Sequence, residues 1–289
     1  MGLMQYEGGK LLDIIKLMRP KQWIKNFFIL APLIFSGLFT DPTSLKNAVF
    51  AMFLFCIASS ATYILNDASD IEKDRLHPKK SKTRPLASGA VSLRTAYILM
   101  GFLYSLLAIA FFFIPEVVGI IIIYMALNLA YTFKLKHEPV LDIFTIALGF
   151  VLRVITGSIA INVPISSWML ISTLCLALYL AAVKRRQELH QMGTEARSVL
   201  QKYTLKLIDR YAEMSATSAL IFYSMYVMST RPELAISIPL VIFGLYRYWY
   251  VVDALSGGES PTDALTADWQ LLATVITWTG ICIWVLSRV

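Results

Sequence analysis

Charge is scarce in this sequence. Only 16% of its 289 residues are Asp, Glu, Lys or Arg, against 57% hydrophobic, and the mean hydropathy is +0.64. Soluble domains carry about 25% charge, so an ordinary soluble fold is excluded, as is a disordered chain. Cysteine is almost absent too. Cys56, Cys175 and Cys282 each sit inside an apolar run without metal-ligand spacing, which leaves them as packing residues and excludes a disulfide or zinc framework. No glycine-rich nucleotide loop of the P-loop or dinucleotide type occurs. The first 21 residues hold Lys10, Lys16, Arg19 and Lys21 but no unbroken apolar core with a small-residue cleavage site, so no cleaved leader is predicted. Acidic residues are the minority, 19 against 26 basic, giving a net charge of +7. A basic excess can signal nucleic-acid binding, but the placement of these residues assigns it to membrane topology, and no nucleic-acid partner is predicted.

What fills the chain is apolar runs. They fall at roughly 22–39, 47–65, 95–114, 117–133, 139–160, 166–183, 211–229, 234–252 and 270–287. Barrel strands would be shorter and alternating, whereas Gly119 to Leu129 is apolar on every face. The expectation is an all-α fold: a polytopic bundle of nine transmembrane helices with cytoplasmic cap loops, one domain over residues 1–289. With nine spans, 22 of the 26 basic residues fall on one side, three (Lys46, Arg231, Arg288) on the other, and Arg153 lies within a span. The positive-inside rule then places the amino terminus in the cytoplasm and the carboxyl terminus outside. The long connections at 66–94, 184–210 and 253–269 share the cytoplasmic side and hold most acidic residues, so a site is expected there.

The most informative stretch is Asn66-Asp67-Ala68-Ser69-Asp70-Ile71-Glu72-Lys73-Asp74-Arg75, directly after the apolar run Ala51 to Leu65. If the helix continues past the membrane boundary, about 100° per residue brings Asn66, Asp67, Asp70 and Asp74 onto one face and leaves Glu72 elsewhere. Three carboxylates and an amide on one face repel one another unless a cation neutralises them. Hard oxygen donors at that edge suit Mg2+, held by few carboxylates and completed by substrate phosphates. A solvated helix end balanced by Lys73 and Arg75 is the blander reading. Downstream, His77-Pro78-Lys79-Lys80-Ser81-Lys82-Thr83-Arg84-Pro85 is densely basic. By itself it is a positive-inside loop; beside a metal-binding face it supplies the donors a diphosphate needs.

A nine-span chain with Asn-Asp-x-x-Asp-x-x-x-Asp closing its second helix resembles the UbiA superfamily of intramembrane prenyltransferases, over its whole length. Arg19-Pro20-Lys21-Gln22-Trp23-Ile24-Lys25-Asn26, Asn66 to Arg75 with His77-Pro78 and Arg84 to Gly89, and Lys184-Arg185-Arg186-Gln187-Glu188 resemble more narrowly the branch that uses phosphoribosyl pyrophosphate. Prenyl-transferring members have a second Asp-rich motif after the sixth span. Here Lys184 to Arg210 has Glu188, Glu195 and Asp209 but no Asp-x-x-x-Asp pair, so a phosphate would be held directly by cations.

The resemblance implies an enzyme of the bacterial cytoplasmic membrane, with its site facing the cytoplasm. Ribose 5-phosphate would pass from phosphoribosyl pyrophosphate to a decaprenyl-type polyprenyl monophosphate, releasing pyrophosphate, in making a cell-envelope glycolipid precursor. Asp67, Asp70, Asp74 and Lys184 would be catalytic, and Asn66, Asp67, Asp70 and Asp74 would hold Mg2+. Lys21, Gln22, Lys25, Asn66, Lys73, Lys79, Arg84, Tyr131, Lys136, Asp142, Arg153, Arg185, Glu188 and Arg247 would bind substrate. Several have blander readings: Tyr131, Lys136 and the basic residues near span one as interfacial or topogenic groups, Trp23 as an interface anchor. Arg153 lies eleven residues beyond Asp142, on the same helix face, too deep to be uncompensated. Gly257 and Gly258 permit tight turns. A homo-oligomer is compatible with the sequence. The alternatives are a prenyltransferase using a prenyl diphosphate and an anion transporter.

Overall fold

The computed structural model describes residues 11–76, 80–193, 198–253 and 261–288, and among them every regular element is helical. The long helices are α1 (Pro42–Ser69), α2 (Leu93–Phe111), α3 (Pro115–Phe133), α4 (Leu141–Ala160), α5 (Ser167–Met192), α6 (Leu205–Thr230), α7 (Ile238–Asp253) and α8 (Trp269–Leu286). Local sequence explains their starts. Asp41 accepts from the Ser44 N–H at 2.8 Å and Pro42 follows it, a cap and a proline where the missing N–H costs nothing. Ser92, Thr204 and Asp268 cap α2, α6 and α8 through side-chain oxygens.

Among the described residues, seven helical stretches are long and apolar enough to cross a membrane: α1 to α5, α8, and Pro232–Asp253, which joins a short 3-10 turn to α7. Two expected spans differ. α6 has the length but carries Asp209, Arg210 and Glu213 and many hydroxyls. The first expected span is not one α-helix: Pro20–Leu30 is a 3-10 helix, followed by a five-residue α-helix, Ala31–Phe35. Hydropathy cannot distinguish these windings. Pro20 and Pro32 lack the N–H of a regular ladder, and the buried Asn26 amide donates across to Ser59 Oγ at 3.3 Å and Cys56 Sγ at 3.2 Å.

The chain divides into two compact units, residues 1–27 with 50–129 and residues 28–49 with 130–289. Unit one packs the later part of α1 with α2 and most of α3. Phe55, Ile64, Leu86 and Ile121 are fully buried, and the Phe55 and Tyr124 rings meet at 4.5 Å. Unit two is built from α4 to α8. Tyr179, Val183, Leu200, Tyr248 and Leu271 form one apolar cluster, and Tyr226, Leu234 and Cys282 anchor a second. None of the three cysteines is joined in a disulfide.

In unit two, α4 approaches the chain at Ile29 so closely that only glycine fits at Gly157. A Cβ there would lie 1.9 Å from the Ile29 carbonyl oxygen. Backbone cannot step aside as a side chain can, so Gly157→Ala is expected to lose at least about 2 kcal/mol of stability. Thermal unfolding of the detergent-solubilised protein checks this, and an unchanged midpoint would contradict the close approach.

Candidate active site

In unit one the acidic stretch forms with the expected spacing. α1 ends at Ser69, yet the Asp70 N–H donates to the Asn66 carbonyl at 3.0 Å and the Asp74 N–H to the Asp70 carbonyl at 2.9 Å, so α-type bonding runs on into the helix Ile71–Leu76. Asn66, Asp70 and Asp74 therefore follow one another at successive turns, with Asp67 beside them. Asp67 and Asp74 are 2% and 3% exposed. Asn66 and Asp70 are half-buried, while Glu72 is exposed and pairs with Arg75 at 2.9 Å.

Carboxylates so buried persist only with cationic partners. Arg84 Nη1 donates to Asp67 Oδ1 at 2.8 Å and also to Asp74 Oδ2, so a single nitrogen joins both side chains. Arg19 also grips Asp67, through Nε to Oδ2 at 3.2 Å and through Nη2 to Oδ1, with its guanidinium 5.0 Å from the Tyr63 ring centroid. Lys80 Nζ stands 3.5 Å from Asp74 Oδ1. Arg19 holds this position with φ of +53° immediately before Pro20, a backbone region non-glycine residues rarely occupy. Its segment is braced on α1: Ser60 Oγ donates to the Met18 carbonyl at 2.9 Å and accepts from Trp23 Nε1 at 3.0 Å. Trp23, expected as an interface anchor, has this bond to α1.

Among the described residues no three His, Cys, Asp or Glu side chains gather as a metal cluster. Two carboxylates do converge, Asp67 and Asp74, on one cationic atom. Magnesium usually takes only one or two protein carboxylates and completes its shell with water and substrate phosphate, so this pair, with Asn66 and Asp70 alongside, fits such an ion.

Unit two holds a second ionic cluster. Arg185 is 1% exposed and uses all three guanidinium nitrogens: Nε donates to Asp142 Oδ2 at 2.7 Å, Nη1 to Glu188, and Nη2 to the Tyr131 hydroxyl at 3.0 Å. The other Asp142 oxygen accepts from the Tyr203 hydroxyl at 2.7 Å, and that hydroxyl accepts from the Val140 N–H at 2.7 Å. Burial pushes the Tyr203 pKa up, so the proton given to Asp142 stays in place. Val140 has φ of +68°, an outlier for a β-branched residue, and the bond to Tyr203 helps hold it. Tyr131, Asp142, Arg185 and Glu188, scattered over 58 positions of sequence, are thus brought together, and Tyr203 joins them.

The remaining expected residues divide among several settings. Lys184 is partly exposed, 4.0 Å from Glu188. Lys136 is half-buried. Arg153 is buried on the same side of α4 as Asp142; it donates to the Gly149 carbonyl at 2.7 Å and lies over Phe150. Arg247 pairs with Asp268, the α8 cap, at 2.7 and 3.1 Å; its hydrogen bond holds the Asp268 carboxyl below its usual pKa range. Lys21 and Lys73 are exposed, and Gln22 and Lys25 half-buried. Lys79, with His77, Pro78, Glu195, Gly257 and Gly258, lies outside the described residues. Arg186 ties three helices together: it bonds Asp209 at 2.6 Å and Asp253 at 2.7 Å, and lies over Trp249.

The Arg185 cluster makes a stability prediction. Asp142→Ala leaves a buried guanidinium short of one of its two carboxylate partners and is expected to lose about 3–5 kcal/mol. Tyr203→Phe removes one neutral donor and should lose about 1–2 kcal/mol. Thermal melts of the two variants side by side check the order, and equal losses would refute it.

Comparisons with known proteins agree with this architecture. The model of the UbiA prenyltransferase family matches residues 29–272. The decaprenyl-phosphate phosphoribosyltransferase of Mycolicibacterium smegmatis is 38% identical, the match covering 92% of this chain and 90% of that protein. The protein of the same name from Corynebacterium glutamicum is 33% identical over 92% and 84% of the two chains. A solved structure of a UbiA homolog from Archaeoglobus fulgidus bound to GPP and Mg2+ superposes with a TM-score of 0.73 at 21% identity, over 95% of this chain and 99% of that one. With the family model covering most of the sequence and the apolar helices long enough to span a bilayer, the chain is an integral membrane protein that belongs to the UbiA prenyltransferase family.

Proposed function

We propose that this chain is a magnesium-dependent polyprenyl-phosphate phosphoribosyltransferase. It transfers 5-phosphoribose from phosphoribosyl pyrophosphate to a decaprenyl-type lipid monophosphate and releases pyrophosphate. The observation that carries this reading is 38% identity, over nine-tenths of both chains, to a protein named for that activity. The local chemistry is consistent with it. The cytoplasmic end of α5 reads Lys184-Arg185-Arg186-Gln187-Glu188 where a second acidic pair would serve a prenyl diphosphate, and Glu188 and Asp142 are bonded to Arg185.

In this reading the enzyme lies in the bacterial cytoplasmic membrane with its amino terminus and charged connections in the cytoplasm. Nine crossings result when the segment 20–35 and α6 are added to the seven apolar stretches. Asn66, Asp67, Asp70 and Asp74 hold magnesium, which when bound supplies positive charge to the departing pyrophosphate. Arg84, Lys73, Lys79, Lys21, Gln22 and Lys25 bind the phosphates offered to unit one. Lys184, Lys136, Arg153 and Arg247 belong to the phosphate-binding complement of unit two. Arg185 and Asp142 set the position of Tyr131 and Glu188. The anomeric carbon gains positive character as its bond to pyrophosphate breaks, and the lipid phosphate oxygen attacks it. Neither step needs a protein nucleophile, so the side chains orient and neutralise rather than react.

Ribose-labelled phosphoribosyl pyrophosphate supplied to membranes containing the protein is expected to label an organic-extractable lipid, and the label should vanish when divalent cations are chelated. Transfer from a prenyl diphosphate alone would assign the chain to the prenyl-transferring activity instead. Asp70→Asn should reduce labelling at least about a hundredfold while the protein remains inserted and folded. Full activity in that variant would remove Asp70 from the site.

A further inference from the structure

The two buried carboxylates of unit one are already neutralised by the chain itself. Asp67 accepts from both Arg19 and Arg84, and Asp74 from Arg84 with Lys80 at 3.5 Å. Arg84 is the member that matters for a metal. Its Nη1 touches both Asp67 Oδ1 and Asp74 Oδ2, so it stands where the two side chains converge, the point a shared dication needs. Of the two carboxylates, Arg19 is bonded to Asp67 and Lys80 pairs with Asp74, whereas Arg84 is bonded to both.

We infer that Arg84 is a built-in stand-in for the metal: it bars the Asp67–Asp74 pair to a bare divalent ion, and the diphosphate of the donor opens the site by drawing the guanidinium onto itself. This inference rests on the proposed phosphoribosyltransferase reading and adds an order of binding to it.

Charge supports the exchange. Asp67 and Asp74 contribute two negative charges, and Arg19, Arg84 and Lys80 contribute three positive ones within ion-pair reach. With the half-buried Asp70 on the same face, these described residues carry three charges of each sign. A lone dication would add two positive charges to this group and would compete with the Arg84 guanidinium for two buried carboxylates. A diphosphate accompanying the ion would supply offsetting negative charge, and Arg84 would find phosphate oxygens in place of carboxylate ones. Arg84 is suited to move. It is 21% exposed while its partners are buried, and it sits after the short helix Lys80–Thr83, on a connection rather than within a long helix. The arrangement also keeps two like charges from repelling each other while the site is empty.

The test uses the full-length protein in detergent with Mn2+ as the probe, bound metal being counted by electron paramagnetic resonance. Wild-type protein with Mn2+ alone should bind weakly, and adding phosphoribosyl pyrophosphate should produce protein-bound Mn2+ at concentrations where neither partner suffices. Arg84→Gln removes the stand-in, so this variant should bind Mn2+ alone at least about tenfold more tightly than wild type, the smallest effect expected from removing a cation beside a carboxylate. Arg84→Lys retains a positive charge and should stay close to wild type. If wild-type protein binds Mn2+ alone as tightly as with the diphosphate substrate, the stand-in role is overturned while the metal-dependent transferase reading survives. That comparison needs no variant, so it decides the matter even if Arg84→Gln does not fold. Absence of bound Mn2+ from all samples, substrate included, would overturn the metal site and the stand-in role together.

Discussion

An ionised carboxylate inside an apolar bundle must be met by positive charge, and this one requirement organises both polar regions of the molecule. Asp67 and Asp74 in unit one and Asp142 in unit two are each almost without solvent contact. Each is answered by an arginine that serves two acceptors at once: Arg84 through one nitrogen shared by Asp67 and Asp74, Arg185 through separate nitrogens of its planar fork to Asp142 and Glu188. Lysine, with a single point of charge, appears at the edges, as in Lys80 and Lys184. The two arginine centres differ in one respect that matters for chemistry. Arg185 is sealed in, with a partner on each of its three nitrogens, which makes it a fixture. Arg84 retains partial exposure and sits on a connection, which leaves it free to exchange partners.

Much of this was legible in the sequence because it depends on spacing along a single helix. The face made by Asn66, Asp67, Asp70 and Asp74 follows from helical periodicity alone, and the hydrogen bonds continuing through Asp70 reproduce it. The same reasoning placed Asp142 and Arg153 on one buried side of α4. Family membership was legible too, through motifs that are contiguous in sequence. What escaped was whatever depends on chain folding over long separations. Arg19 reaches Asp67 across 48 positions from a left-handed backbone that no residue pattern announces. Tyr203 lies in a mixed polar stretch without periodicity, so its place beside Asp142 carried no local signal. Arg247, singled out in the sequence as a substrate-binding residue, gave no sign there of its pairing with Asp268, which caps the next helix.

Hydropathy misjudged the first segment for a related reason. A window of apolar residues records composition, and composition is the same for a 3-10 winding as for an α-helix. Side-chain bonds from Trp23 and Asn26 to Ser60, Ser59 and Cys56, with prolines at both ends, accompany the tighter winding. These are polar attachments to a neighbouring helix, invisible to a one-dimensional average.

That winding has a geometric result of its own. A 3-10 helix climbs about 2.0 Å per residue against about 1.5 Å for an α-helix, so the eleven residues Pro20–Leu30 extend about 22 Å rather than about 16 Å. Stretching the peptide trades hydrogen-bond quality for reach: the stem gains about a third in height without a single added residue.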